Sequence, residues 1–401
     1  MLDAGCCGAR GSHHQAAFEA FLDYIGRAKQ PITGCRYYVS STFRHSFPSA
    51  IRSPRVAICP TFVTEFYGYR WQETLAGLFA YIATLAGEYR AVLQELADGP
   101  WQRSRIVLPS LQWPHLMALR IGMRGLNMDR AEIIVCAEGV ELVPYCESLD
   151  LPSRAYWKAI TELTAFRNIR VRFSAFEYAS EAIAKVFRKG CPLDYVHGLM
   201  FLDSSCRIPH YDTKSQRFLD LSRSRICLYC GDPKREKGFF DLYHLLIDLP
   251  SADQRRTAYV VQVASGNHTL EIDQELLKLR MVAEQRGDVQ LEFEALDNLK
   301  LFAFFSSLDL IYINYDPKRY HGRTSGILWI AALLDVPVLF STESTLILEA
   351  KRICRHFAVL SNEATFSEFA SQEDFEFEYN EIDEGYVRKL QGDFWSECSE
   401  A

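Results

Sequence analysis

Tyr229-Cys230-Gly231-Asp232-Pro233-Lys234-Arg235-Glu236-Lys237-Gly238-Phe239 joins two apolar runs, Arg225–Tyr229 and Gly238–Leu246, through a basic turn with two glycines. Tyr315-Asp316-Pro317-Lys318-Arg319-Tyr320-His321-Gly322-Arg323-Thr324-Ser325-Gly326-Ile327-Leu328 repeats the arrangement later in the chain. Each reads as strand, turn and helix. Such a turn aims free backbone N–H groups and the positive end of a helix dipole at one point, which suits a phosphate. Two of them in one α/β half can converge on one diphosphate.

Around these turns the second half alternates regularly. Strands are expected at Arg225–Tyr229, Ala258–Val263, Val289–Phe293, Leu310–Ile313 and Val336–Phe340. Helices are expected at Gly238–Leu246, Glu271–Gln285, Leu296–Ser306, Ser325–Leu334, Ser344–Cys354 and Thr365–Ser371. The acidic stretch Glu373–Glu384 reads as a loop crossing back, with a last helix at Tyr386–Trp395. The first half alternates less clearly. Strands are expected at Arg55–Pro60, Arg105–Leu108, Glu132–Cys136 and Ile169–Phe173. Helices are expected at Ala16–Ala28, within Thr64–Leu96, and at Pro114–Met123, Arg154–Thr164 and Glu181–Phe187. Alternation of this kind implies parallel sheets with helices on their faces, and ligands at the carboxyl ends of strands. Met200–Tyr211, with Asp203 and His210, reads as the approach to a linker.

The chain has 401 residues, 48% hydrophobic and 24% charged, enough for two globular domains. A net charge of -7 argues against a nucleic-acid partner, since no broad basic face can form. Twelve cysteines without a clustered pattern fit reduced thiols and a cytoplasmic location. Cys227-Leu228-Tyr229-Cys230 has metal or redox spacing, but it lies in an expected strand with no second ligand pair. Met1–His14, with Cys6-Cys7 and His13-His14, reads as a leader without an apolar signal core. No apolar run is long enough to span a bilayer. The amphipathic Leu116–Met123, with Arg120 and Arg124, leaves peripheral contact with the inner face of a membrane open. Phosphate-loop, zinc-helix, nucleophile-elbow and dinucleotide glycine motifs are all missing, as is a DxD carboxylate pair.

Gly231–Gly238 (G-x5-K-G), the strand-like Leu308–Pro317 and Arg323-Thr324-Ser325-Gly326 ahead of Asp335-Val336-Pro337-Val338 together resemble the nucleotide-sugar glycosyltransferases of GT-B architecture, of the retaining, group 1 type. The resemblance is best over residues 222–360; over 50–200 it rests on the element pattern and on Leu108-Pro109-Ser110-Leu111. It implies an α/β fold of two Rossmann-like (GT-B) domains facing each other across a cleft. The expected division is an N-terminal extension at 1–50, an acceptor-side domain at 51–215, a donor-binding domain at 216–380 and a C-terminal helix crossing back at 381–401.

The resemblance also implies a transferase that moves a sugar from a nucleotide diphosphate donor to a glycan, lipid-linked or small-molecule acceptor, with retention, without metal, and with no cofactor beyond the nucleotide-sugar substrate. Lys237 would hold the donor phosphates, with Gly231, Lys234 and Arg235 from the first turn and Arg323, Thr324, Ser325 and Gly326 from the second. His115, His321 and Asp316 are the catalytic candidates. Glu65 and Tyr67, with Phe66 and Tyr69, are acceptor candidates, since aromatic rings stack on sugars and a carboxylate accepts from hydroxyls. The sequence departs from the family in two places. Asp232 replaces the usual arginine of the first loop, and Gly322 and Ile330 occupy the two positions of the E-x7-E glutamate pair. An isoleucine cannot accept ribose hydroxyls. These departures keep a second reading open, a catalytically degenerate binding or scaffold protein on the same architecture. An epimerase or phosphorylase is a third.

Overall fold

The structure is a computed structural model that describes residues 1–6, 14, 18, 21–22, 25, 34–43, 56–99, 104–138, 151–173, 194–195, 216–250, 256–264, 269–294, 296, 298–318, 320, 324–361 and 364–387. It divides into two compact units. Unit 1 comprises Met1–Ser205 with Leu390–Ala401, and unit 2 is Cys206–Lys389.

Unit 1 holds β1 (Leu2–Asp3), β2 (Cys35–Ser40), β3 (Val56–Phe62), β4 (Ser104–Leu111), β5 (Ala131–Ala137), β6 (Ile169–Phe173) and β7 (Asp194–Tyr195). Parallel sets β1-β2-β3 and β4-β5-β6-β7 result, with β1 lying against β4. The chain thus reverses direction across the strands between β1 and β4. Helix α1 (Leu75–Asp98), capped by the Thr74 hydroxyl, packs against α2 (Trp113–Gly122), and α2 against α3 (Leu151–Thr164).

Unit 2 holds strands β8 (Arg217–Asp220), β9 (Arg225–Gly231), β10 (Ala258–Val263), β11 (Val289–Glu292), β12 (Leu310–Ile313), β13 (Val338–Phe340), β14 (Phe357–Val359) and β15 (Asp374–Phe377). Its helices are α4 (Leu242–Asp248), α5 (Leu270–Arg286), α6 (Asn298–Ser306), α7 (Gly326–Leu333), α8 (Thr345–Ile353) and α9 (Phe366–Ala370). Six of the strands form one sheet in the order β11-β10-β9-β12-β13-β14, parallel throughout. This is the doubly wound order, and it repeats the reversal of unit 1, here between β9 and β12. The central strands are continuous apolar runs because helices cover both faces. Ile226, Leu228, Val261, Leu310 and Leu339 lie in one core with Phe239, Leu276 and Leu279.

Four expectations are corrected. Residues 1–50 are no extension, because β1 and β2 pair inside unit 1 and Phe18, Phe21, Leu22 and Ile25 pack on Tyr37 and Val39. Cys6 and His14 are buried, so they are not part of a loose leader. The stretch read as an acidic crossing loop contains β15, antiparallel to β8, because Phe375 and Phe377 alternate with acids at strand period. The helix expected from Gly238 starts instead as one 3-10 turn, Phe239–Asp241, before α4, and a second such turn, Arg235–Lys237, ends at Gly238, which is left-handed at φ +77°. Glu181–Phe187, Met200–Tyr211 and most of Tyr386–Trp395 lie outside the described residues. No described helix is long and apolar enough to cross a membrane. Within Leu116–Met123, Leu116, Ala118, Leu119 and Met123 are core residues, and Arg120 pairs with Glu162.

Candidate functional site

In unit 2 the turns after β9 and β12 leave the sheet on either side of the chain reversal, where open α/β sheets bind ligands. The first turn starts at Gly231, φ +113°, whose N–H donates to the Gln262 side chain at 3.0 Å. Gln262 also donates to the Glu294 carbonyl at 2.6 Å and accepts from the Cys230 thiol, tying the turn to the ends of β10 and β11. Tyr229 closes the turn from below, donating to the Asp232 carbonyl and accepting from the Lys234 N–H. The turn ends at Gly238, where an added Cβ would stand 2.4 Å from the Asn314 carbonyl oxygen. Asn314 follows β12 directly, and the Asp316 N–H donates to the Glu236 carbonyl at 3.0 Å. The two turns therefore interlock, backbone against backbone.

Their charges are sorted by pairing. Arg235 pairs with Glu271 and lies 4.4 Å above the Phe240 ring. Lys234 pairs with Asp232 at 3.6 Å. Lys237 is half-buried and faces the Tyr315 ring, its ammonium 5.7 Å from the centroid. That ammonium is 3.8 Å from where a Gly231 Cβ would lie, and among the described residues no carboxylate pairs with it. Tyr315 is buried, its phenol pushed up by burial, and its hydroxyl is 3.3 Å from that of Ser325. Ser325 opens α7 and caps it without bonding one of its N–H groups. A Cβ at Gly326 would meet nothing within 4 Å. Lys237, Tyr315, Ser325 and Gly326 are thus linked along one line of contacts.

Other candidates are placed differently. Thr324 turns inward, its hydroxyl 2.9 and 3.0 Å from the two oxygens of Glu349 on α8. Asp316 accepts from the Lys318 N–H at 2.9 Å in a local turn and lines a cavity of about 260 Å³ with Asn314, Asp241 and Ser341. Ile330 is buried within α7. His321 and Arg323 lie outside the described residues. Cys227 and Cys230 are buried thiols of β9, with burial pushing Cys230 up to about 12 and Cys227 well above its ordinary value.

Unit 1 gathers a second polar group at its own chain reversal. His115, in the first turn of α2, is fully buried and stacked on Phe66, centroids 3.8 Å apart. Its Nε2–H donates to the Phe66 carbonyl at 2.9 Å. Burial, helped by the nearby His14, pushes its pKa down to about 3. His14 is 2% exposed, and its Nδ1 lies 2.7 Å from Asp3 Oδ1 at the end of β1. Burial opposes its protonation, but Asp3, with a smaller contribution from Glu138, holds its pKa above the ordinary imidazole value. Asp3 also accepts from the Tyr37 hydroxyl at 3.1 Å and the Gly5 N–H at 3.2 Å. Glu138, following β5, accepts from Ser110 and from Gln112 at the end of β4. Tyr69 donates to Gln112, and Arg70 lies 4.4 Å above the Tyr67 ring. Glu65 is exposed, and its carbonyl accepts from the Tyr81 hydroxyl.

Sequence reading missed Gln262, Asn314, Tyr315 and Glu349 in unit 2 and Asp3, His14 and Glu138 in unit 1. Tyr315 and Asn314 stood inside the quoted strand and turn and could have been taken with it. Gln262 and Glu349 become visible only when strands and helices distant in sequence are set side by side.

No protein-family model matches the sequence, and no curated protein does. Among solved structures, the chain is similar to sucrose-phosphate synthase from Thermosynechococcus elongatus, with TM-score 0.56 and 12% identity over 92% of this chain and 87% of that one. It is similar to Anabaena HepE in complex with UDP-glucose, with TM-score 0.53 and 11% identity over 100% and 99%. The trehalose-phosphate synthase of Burkholderia xenovorans, solved with glucose-6-phosphate, gives TM-score 0.56 and 9% identity over 97% and 91%. Along nearly its whole length the chain has the fold of the two-Rossmann-domain (GT-B) glycosyltransferases.

Proposed function

We propose that the chain is a glycosyltransferase that takes a nucleoside-diphosphate sugar in unit 2 and a sugar or other hydroxyl acceptor in unit 1. The observation that carries this reading is Lys237, a half-buried ammonium without a carboxylate partner among the described residues, set against Gly231 and Tyr315 where two interlocked turns leave the sheet. A bound diphosphate would supply this ammonium with an opposite charge, in charge-assisted hydrogen bonds. In transfer the sugar–oxygen bond breaks and negative charge gathers on the departing diphosphate. Lys237, Arg323 and the first N–H groups of α7 would neutralise it, which favours a metal-independent reaction. Retention of configuration belongs to the same reading, supported by the motif resemblance alone. Gly231 and Gly326 let the diphosphate approach the backbone, Ser325 offers a hydroxyl, and His321 would protonate the leaving group. Asp316 would meet sugar hydroxyls from the cavity wall, and Arg235 and Lys234 would add to the field.

On the acceptor side, Tyr67 under Arg70 offers a stacking face, and Glu65 lies exposed beside it. His115 would act by fixing the Phe66–Tyr67 segment, since its Nε2 is already engaged. Cytoplasmic residence is part of the proposal, supported by the free thiols of the described cysteines. HepE, solved with UDP-glucose, supports the donor class. A second reading has its own observation. The Asp232–Lys234 pair places a carboxylate in the phosphate turn, which favours a binding protein without turnover.

Calorimetric titration with UDP, ADP and GDP, and with their hexose conjugates, tests the proposal. One nucleotide series is expected to bind, Lys237→Ala to weaken it at least about tenfold, as loss of a charged hydrogen bond implies, and the conjugate to be consumed when acceptors are supplied. Binding without consumption selects the second reading in its binding form, and no binding to any of these nucleotides sinks the transferase and leaves a scaffold on the same architecture.

A further inference from the structure

Glu349 is fully buried on α8, and its carboxylate joins two points of the neighbouring α7 segment. The Thr324 hydroxyl donates to it at 2.9 Å, and the Trp329 indole N–H donates to Oε1 at 2.6 Å. Thr324 stands two residues before Gly326, and Trp329 one turn inside the helix. One side chain therefore fixes both the path of the chain into α7 and the helix's first turn. The segment it fixes carries Ser325, whose hydroxyl meets Tyr315, and Tyr315 faces Lys237.

Ser325 makes no capping bond to the helix it opens, and Gly326 has no Cβ to pack. Tyr320 donates to the Thr324 carbonyl at 3.2 Å, which fastens the backbone from the other side. The start of α7 is thus tied from outside the helix, to Tyr320 through the Thr324 carbonyl and to α8 through the buried Glu349.

We propose that Glu349 is a positioning residue of the diphosphate site, clamping Thr324 and Trp329 so that the first N–H groups of α7 and the Ser325 hydroxyl stand ready opposite Lys237. The inference rests on the proposed donor site. It assigns Thr324 a different task from its neighbour Ser325: its hydroxyl faces the carboxylate beneath the helix, and only its place in the chain serves the ligand. The clamp works through hydrogen-bond geometry, so an amide can replace the acid. The side chain introduced by Glu349→Gln would accept from Trp329 through its oxygen and donate to Thr324 through its nitrogen.

UDP, ADP and GDP affinity is measured by calorimetry on the full chain for wild type, Glu349→Gln, Glu349→Ala, Thr324→Ser, Thr324→Val and Lys237→Ala, with the ligand-free thermal midpoint recorded for each. Thr324→Val and Glu349→Ala are expected to lose about tenfold or more in affinity, the weight of one displaced hydrogen-bonding group. Glu349→Gln and Thr324→Ser are expected to stay within about threefold of wild type. Thr324→Val matches the shape of threonine, so it reports even where Glu349→Ala does not fold. If wild type binds a nucleotide and Lys237→Ala loses it while Thr324→Val binds normally, the clamp is refuted and the donor site stands. If Glu349→Gln falls as far as Glu349→Ala, charge rather than geometry is at work and the clamp is again refuted. If wild type binds none of the three, the donor site and the clamp fall together.

Discussion

Two histidines of unit 1 carry opposite pH signatures because burial meets different partners. His115 is fully buried among rings, a phenol and the Phe66 and Gln112 carbonyls, with the cationic His14 and Arg70 nearby, so it stays neutral, with its pKa pushed down to about 3. The unfolded chain binds a proton below the ordinary value of 6.5 that the folded chain refuses, so its contribution is present above that value and is lost as pH falls toward 3. That amounts to about 2 kcal/mol by pH 5. His14 faces Asp3 and Glu138, and its pKa is raised. Its contribution is complete below the unfolded value of 6.5 and fades as pH rises through the raised folded value. Urea melts of the full chain between pH 4.5 and 8.5 check both. His115→Gln, which keeps a donor for the Phe66 carbonyl, is expected to flatten the acid side. His14→Gln is expected to be least stable relative to wild type in acid and to converge with it in alkali. Parallel pH curves for wild type and both variants would show that neither group titrates as placed.

At the scale of elements, legibility followed the number of contacts made within a run. Ala258–Val263 and Leu310–Ile313 were readable to the residue because buried parallel strands are continuous apolar runs bounded by polar turns. β1 has two residues and depends on β2 for its identity, so nothing local announced it. β15 hid among acids, though its alternating phenylalanines carried the strand period. Lys237 and the two glycines of its turn stood together in the sequence as one turn, whereas the side chain that tethers that turn did not show there. Gln262 is a polar residue inside β10 that binds the end of β9 and the residue beyond β11. Replacing it with Leu leaves the Gly231 N–H and the Glu294 carbonyl without their partner, at about 1–3 kcal/mol for a buried orphan. Gln262→Leu is expected to lower the unfolding free energy by that amount, and the urea midpoint with it, and to weaken nucleotide binding, since the turn carrying Lys237 loses its tether. An unchanged midpoint would mean that the turn is held by Tyr229 alone.

Across the whole molecule, one architecture occurs twice with different chemistry at each chain reversal. Unit 2 presents Lys237, a cation without a carboxylate partner among the described residues, between interlocked backbones, while unit 1 presents an acid–histidine pair, a second carboxylate and aromatic faces. On the proposed reading, a donor with two phosphates takes its counter-charge from Lys237 in unit 2. Ligand linkage then predicts unequal stabilisation, because a ligand protects the unit that binds it by RT ln(1 + [L]/Kd), about 2.7 kcal/mol at a hundredfold excess over Kd. Hydrogen exchange on the full chain, with and without the nucleotide found by titration, reads this out. Slowed exchange is expected at residues 231–238, 314–318 and 324–328, whose N–H groups form the interlocked turns and the start of α7. Residues 64–72 and 110–116 of unit 1 are expected to keep their rates until an acceptor is added. Protection centred on unit 1 by the nucleotide alone would reverse the assignment of donor and acceptor sides, and with it the role given to Lys237.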